Sequence, residues 1–370
     1  MNLSKSIDFL LENAGAVIQY RLRKEILQNL TQTEEENLLE QIYQTPNFKL
    51  VESYAKPNGY IGIGMHTGSS NFHETPLHDG ETAARLLSYY AVPKTHSLVK
   101  NFVAAMRNEE ILRHEFSYSS SAVRMFNDWS LGMNSGFCLA ILMYAMQSML
   151  GYGDDPELDE IRSISFEAFK RFMSVGSLSE ITKTRQSNAK YNYPYVEEDT
   201  YCPSVNHLAI LAYTKKWRTP ENVKLMADAI NHRNTALPEN NDMQVKIKSN
   251  YYSVGLLLRP FRSFRADDSD SILYRRILTE IAMLGVGELV EIICESVNNV
   301  MEAIDADGIL RMRFDLPHNK RYSPKNIEYP TAYVDVRLEL NYKRKYALEC
   351  DLTFWAVQFL HLVKERKWNG

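Results

Sequence analysis

The chain is poor in cysteine, has no long apolar run and carries no excess of one charge. Its four cysteines (Cys138, Cys202, Cys294, Cys350) stand 56 to 92 residues apart, with no CxxC pair. That scatter is no disulfide framework and predicts a reduced, cytoplasmic protein. The longest apolar run, residues 137–146, has ten members. A membrane span needs about 20, so the run predicts a buried helix and no span. Asp8 and Glu12 break the stretch in which a signal peptide would need an apolar core. With 42 basic and 46 acidic residues the net charge is −4, so no global field draws in nucleic acid. Only 16 glycines and 13 prolines occur in 370 residues, which excludes collagen-like and linker-like chains. The 45% hydrophobic content excludes a disordered one.

What is present is a repeat of helix starts. Thr45-Pro46, Val92-Pro93, Asp155-Pro156 and Thr219-Pro220 each open an apolar-containing segment. Their prolines lie 47, 63 and 64 residues apart. Proline presets φ at the first helical position, and the Thr or Asp before it can cap a free N–H. A fifth start, Gly285-Val286-Gly287-Glu288, lacks the proline. Apolar helices at 81–90, 136–150, 205–217 and 272–284 precede four of these starts. The unit is helix, short turn, helix, then a longer loop. Such hairpins must stack on their neighbours to bury both faces.

Near the C-terminus the period changes. Val334, Val336, Leu338, Leu340 and Tyr342 alternate with polar residues, which predicts a strand. Residues 310–314 repeat the pattern more weakly, so the two stretches are expected to form a small antiparallel β ribbon. An apolar helix over 352–364 follows. The segments 186–195 and 317–330 read as loops at the rim of a single domain, 1–370.

The hairpin spacing resembles the α/α-toroid class of terpenoid cyclases and protein prenyltransferases. The segments Leu284-Gly285-Val286-Gly287 and Asp305-Ala306-Asp307-Gly308-Ile309 add to the likeness, as does the entry from Phe9-Leu10-Leu11-Glu12 to Tyr20-Arg21-Leu22. The resemblance implies a mainly α toroid with a central cavity; an open α-solenoid is the competing architecture. It does not bring the family's catalytic groups. No DxDD occurs, and Asp154-Asp155-Pro156-Glu157-Leu158 lacks the fifth acid of DDxxD.

The prenyltransferase likeness directs attention to Asp199, Cys202 and His207 as zinc ligands, but their spacing departs from the family's pattern, so no metal is expected. The densest polar cluster is His66, His73, His78 and Asp79, behind the glycines of residues 59–64. Histidine serves as general acid or base near neutral pH, which makes this cluster the candidate catalytic group. Neither GxxxxGK[ST] nor GxGxxG is present, and no cofactor is implied. Asp128, Trp129, Tyr252, Asp351 and Trp355 are the candidate ligand-binding residues, on the reasoning that acids and aromatics at inner-helix ends line a cavity. The expected function is binding or transforming an apolar or isoprenoid-like small molecule. A repeat scaffold for a peptide or protein partner is the second reading. A carbohydrate-active toroid enzyme, needing two opposed carboxylates, is the third.

Overall fold

The computed structural model describes residues 3–66, 77–116, 133–136, 139–185, 193–237, 243–253, 260–268, 271–312, 337–339 and 344–365. These residues are mainly helical, with one small mixed sheet. The helices are α1 (Ser4–Asn13), α2 (Ala16–Arg21), α3 (Gln32–Tyr43), α4 (Pro46–Ser53), α5 (Gly80–Tyr89), α6 (Ser97–Met106), α7 (Glu109–Glu115), α8 (Leu139–Gln147), α9 (Asp159–Phe172), α10 (Val205–Ala212), α11 (Pro220–Ala236), α12 (Ser271–Met283), α13 (Glu291–Ala303) and α14 (Ala347–Glu365). Turns of π-helix, Leu22–Leu27 and Ser148–Tyr152, continue α2 and α8.

Several helix starts follow the sequence signal. Thr45 accepts from the Phe48 N–H and Thr219 from the Asn222 N–H, each ahead of proline. Such caps contribute about 1 kcal/mol apiece. Two starts differ. Pro93 opens a turn, and α6 begins only at Ser97, capped by His96 through the Leu98 N–H at 3.2 Å. Asp155 makes no capping bond ahead of Pro156, because its carboxylate pairs with Arg107 at 3.0 Å.

The helices pack in sequence: α5 on α8, α8 on α10, α10 on α12, α12 on α14, and α14 on α2 and its π turn. Arg21 on α2 donates to the Tyr89 carbonyl at the end of α5 (3.2 Å), which links the first of these helices to the last. Outside them, α3 covers α2, α9 and α11 pack together beside α10, and α1 lies on α14. Two large apolar clusters share α10 and α14. Ala209, Ile210, Phe354 and Val357 face one; Leu208, Leu211, Trp355 and Phe359 face the other. No described helix is long and apolar enough to cross a membrane.

One turn occurs twice. After α4, Lys56 N–H bonds the Tyr60 carbonyl (2.8 Å) and Gly59 sits at φ +87. After α13, Asp305 N–H bonds the Ile309 carbonyl (3.0 Å) and Gly308 sits at φ +85. Each turn is flanked by a single antiparallel bridge, Ala55 to Ile61 and Ile304 to Leu310. The Asp305 side chain accepts from the N–H groups of Asp307 and Ile309, so it is a turn-forming residue.

The sheet is not where alternation placed it. Its strands are β1 (Lys183–Arg185), β2 (Tyr193–Glu197), β3 (Gln244–Ile247) and β4 (Asn250–Ser253), in sequential order with β2 and β3 parallel. Thus residues 193–195, the described part of the segment expected to be a loop, belong to β2, which pairs with β1 on one side and β3 on the other. The described portions of the expected ribbon, 310–312 and 337–339, hold no strand. There the N–H groups of Leu338 and Glu339 bond the Asp351 carboxylate, at 3.0 and 3.2 Å, in place of a neighbouring strand. The rest of the ribbon lies outside the described residues.

Candidate functional site

The site is built at the start of α5. A helix's first N–H groups lack partners within the helix. Here Asp79 accepts from the Thr82 N–H (2.9 Å), while the carbonyls of Gly64 and Met65 accept from the N–H groups of Gly80 (2.9 Å) and Glu81 (3.0 Å). The loop 61–66 is therefore laid along the helix end. It can do so because Gly62 and Gly64 take φ of +76 and +60. A Cβ at Gly62 would collide with the His78 carbonyl oxygen, which accepts from the Ile63 N–H at 2.8 Å.

This placement sets His66 over Glu81. Nδ1 of His66 lies 2.7 Å from Glu81 Oε2. The other oxygen of Glu81 takes Nε (2.9 Å) and Nη2 (2.8 Å) of Arg85, one turn along α5. Burial pushes the Glu81 carboxyl up, but the Arg85 charge and the His66 hydrogen bond outweigh it and hold the group at about 2. The Glu81 hydrogen bond raises the His66 pKa against its own burial. Nε2 of His66 has no hydrogen-bond partner among the described residues. A carboxylate on Nδ1 and an open Nε2 is the arrangement of an oriented general acid or base.

Two further acid–base pairs stand near this one. Arg21 is gripped by Glu25 through Nε (2.8 Å) and Nη2 (2.9 Å), and Gln358 of α14 donates to the same Glu25 (3.2 Å). On α12, Arg276 lies 3.8 Å from Glu280, which is 1% exposed. Arg85 and Glu280 act electrostatically on one another, and both act on Tyr213, the residue that ends α10. Burial raises the Tyr213 phenol pKa and Glu280 adds to it, against Arg21, Arg85 and Arg276. Glu25 lies within a π turn, and the second π turn presents Met149 to Arg85 and Ser88. Such turns re-aim side chains and recur at functional sites.

Of the expected catalytic residues, His66, His78 and Asp79 come together. His78 contributes its carbonyl and Asp79 its capping carboxylate. His73 lies outside the described residues, as do Asp128 and Trp129. Glu81 and Arg85 are members that the sequence reading missed. Their signal was present: opposite charges four residues apart inside an apolar helix, as at Arg21/Glu25 and Arg276/Glu280.

The other candidates sit elsewhere. Asp351 is not the start of the last helix, which begins at Ala347; it bonds the 338–339 backbone. Trp355 is core: it stacks on Phe359 (5.5 Å) and packs at a tilt on Phe264 (4.9 Å), and its N–H reaches the Arg275 carbonyl (3.2 Å) and Thr279 Oγ1 (3.1 Å). Tyr252 pairs with Val245 and packs against the small cluster under the sheet.

His207 is held at both ring nitrogens. Nε2 meets the Met133 carbonyl (2.8 Å) and Nδ1 accepts from the Ser204 N–H (3.1 Å). Burial pushes its pKa down to about 4 and that of the Cys202 thiol up to about 12. Asp199 offers its backbone carbonyl to Asn134 at 3.2 Å. Among the described residues no group of three His, Cys, Asp or Glu could hold a metal ion. Comparison with known proteins adds no relative: no family model, no curated protein and no solved structure matches the chain.

Proposed function

We propose that the chain is a single α/α-toroid domain that binds a small molecule over its axial polar cluster, with His66 as the acid–base group. The order of helix packing, α2–α14–α12–α10–α8–α5, and the Arg21–Tyr89 bond support a ring over an open solenoid. The observation that carries the ligand reading is the convergence of buried charge. Buried Glu81, Arg85 and Glu280, with half-buried Arg21, come from three different helices, and buried ions are costly enough that structure alone seldom retains them. The buried charge favours a ligand with polar groups over a wholly apolar or isoprenoid-like one.

The test is mass spectrometry of small molecules retained by the native protein, compared with His66→Ala and Glu81→Gln. A retained compound that both variants lose, with helicity unchanged, is the expected result. Identical profiles for all three proteins reject the site.

A further inference from the structure

Each guanidinium of the axial cluster already has a carboxylate partner. Arg21 is matched by Glu25, Arg85 by Glu81 and Arg276 by Glu280. An anionic ligand would have to displace a resident carboxylate. A wholly apolar one would strip water from ion pairs and return no hydrogen bond. A neutral hydroxylated molecule fits both halves of each pair, accepting from a guanidinium and donating to a carboxylate. Donors remain for it: Arg21 uses one N–H each on Nε, Nη1 and Nη2, and a guanidinium carries five.

Exposure is graded across the cluster. The side chains of Glu280, Glu81 and Arg85 are 1%, 3% and 4% exposed, whereas those of Arg276, Glu25 and His66 are 14%, 34% and 38%. The first three are the buried members of the cluster, and the others reach towards solvent. Tyr213 lies between the two large apolar clusters, partly buried against both, and its hydroxyl has no hydrogen-bond partner among the described residues. A ring face beside an open hydroxyl is what a sugar ring needs: apolar contact for its C–H face and a polar atom at its edge.

We propose that this cluster binds a neutral polyhydroxylated small molecule, a sugar or cyclitol, with Tyr213 as its platform and the Arg21–Glu25 and Arg85–Glu81 pairs holding its hydroxyls. The proposal rests on the ligand-site reading and specifies its ligand. Glu81 is held by two partners, so the assignment is one of binding, with no bond cleavage attached.

The test is calorimetric titration and thermal-shift measurement on the full chain. The probes are glucose, maltose and myo-inositol, with inorganic phosphate, diphosphate and farnesol as competitors of other chemistry. Tyr213→Phe keeps the ring and should fold; Arg21→Lys keeps the charge and loses the fork. Saturable binding of a neutral probe, weakened at least tenfold in either variant, is expected. Binding of phosphate, diphosphate or farnesol alone overturns the sugar assignment and leaves the ligand site standing. Absence of saturable binding by the neutral probes, or binding that both variants leave unchanged, overturns it as well.

Discussion

His66 and Glu81 meet at 2.7 Å across the junction of a loop and a helix, and Arg85 holds the opposite oxygen of the same carboxylate. One buried carboxylate thus fixes two cations. Its orientation is set by the helix, through the i,i+4 spacing to Arg85. The orientation of His66 is set by the loop, whose carbonyls complete the helix end.

Glu81 keeps the His66 imidazolium favourable. The folded pKa of His66 lies above its ordinary value, so the pairing stabilises the fold fully below that ordinary value, about 6.5, and loses its contribution as pH rises through the folded pKa. Glu81 works at the other limit. Its contribution is present above the ordinary carboxyl range and is lost as pH falls towards about 2. NMR titration of the His66 ring should give a pKa above 6.5, and Glu81→Gln should bring it back to the ordinary value or lower. An unchanged titration in the variant would show that Glu81 does not set it.

Arg85→Met should be more damaging than its size suggests. It leaves a buried carboxylate with His66 as its only remaining partner, and losing one partner of a buried pair costs about 3–5 kcal/mol. The double variant Arg85→Met/Glu81→Gln should recover part of that loss, with a coupling of about 0.5–3 kcal/mol. Urea unfolding of the four proteins measures it; strict additivity contradicts the pairing.

Gly62→Ala tests the loop. The position takes φ +76, and a Cβ would strike the His78 carbonyl. Holding a non-glycine residue there costs about 1–3 kcal/mol. The melting temperature should fall, and the His66 resonance should lose its Glu81-dependent shift because the loop backs away from α5.

His207 should respond to pH with the sign opposite to His66. Its folded pKa is about 4, pushed down by burial, so the unfolded chain takes up a proton first as pH falls. Stability should therefore decline between pH 6.5 and 4 and be fully restored above 6.5. His207→Gln should flatten that limb of the pH–stability curve. Metal analysis of the purified protein should find zinc far below one equivalent.

Helix positions were largely legible in the chain. The Thr-Pro starts at 45–46 and 219–220, and the apolar periodicity of α5, α8, α10 and α12, depend on contacts within a few residues. The sheet was not legible. β1 and β2 pair across a short separation, but β2 and β3 are parallel strands nearly fifty residues apart, and parallel pairing has no local signature. The alternation at 334–342 misled in its described part, because the Asp351 side chain supplies the hydrogen bonds that a strand would otherwise need.

The candidate site divides in the same way. Sequence alone determined that His66, His78 and Asp79 fall in one short stretch; it did not determine that they meet, since a loop of that length can span tens of ångströms. It also determined the i,i+4 pairs, because helical geometry sets them side by side. Tertiary structure decided which partners matter. Glu81 became the centre because loop carbonyls bonded the N–H groups of Gly80 and Glu81, and Trp355 became core because Phe264 arrived from ninety residues upstream. Arg21, Arg85, Tyr213 and Glu280 converge because helices distant in sequence pack in turn against one another, and packing acts between faces that no short stretch of sequence contains.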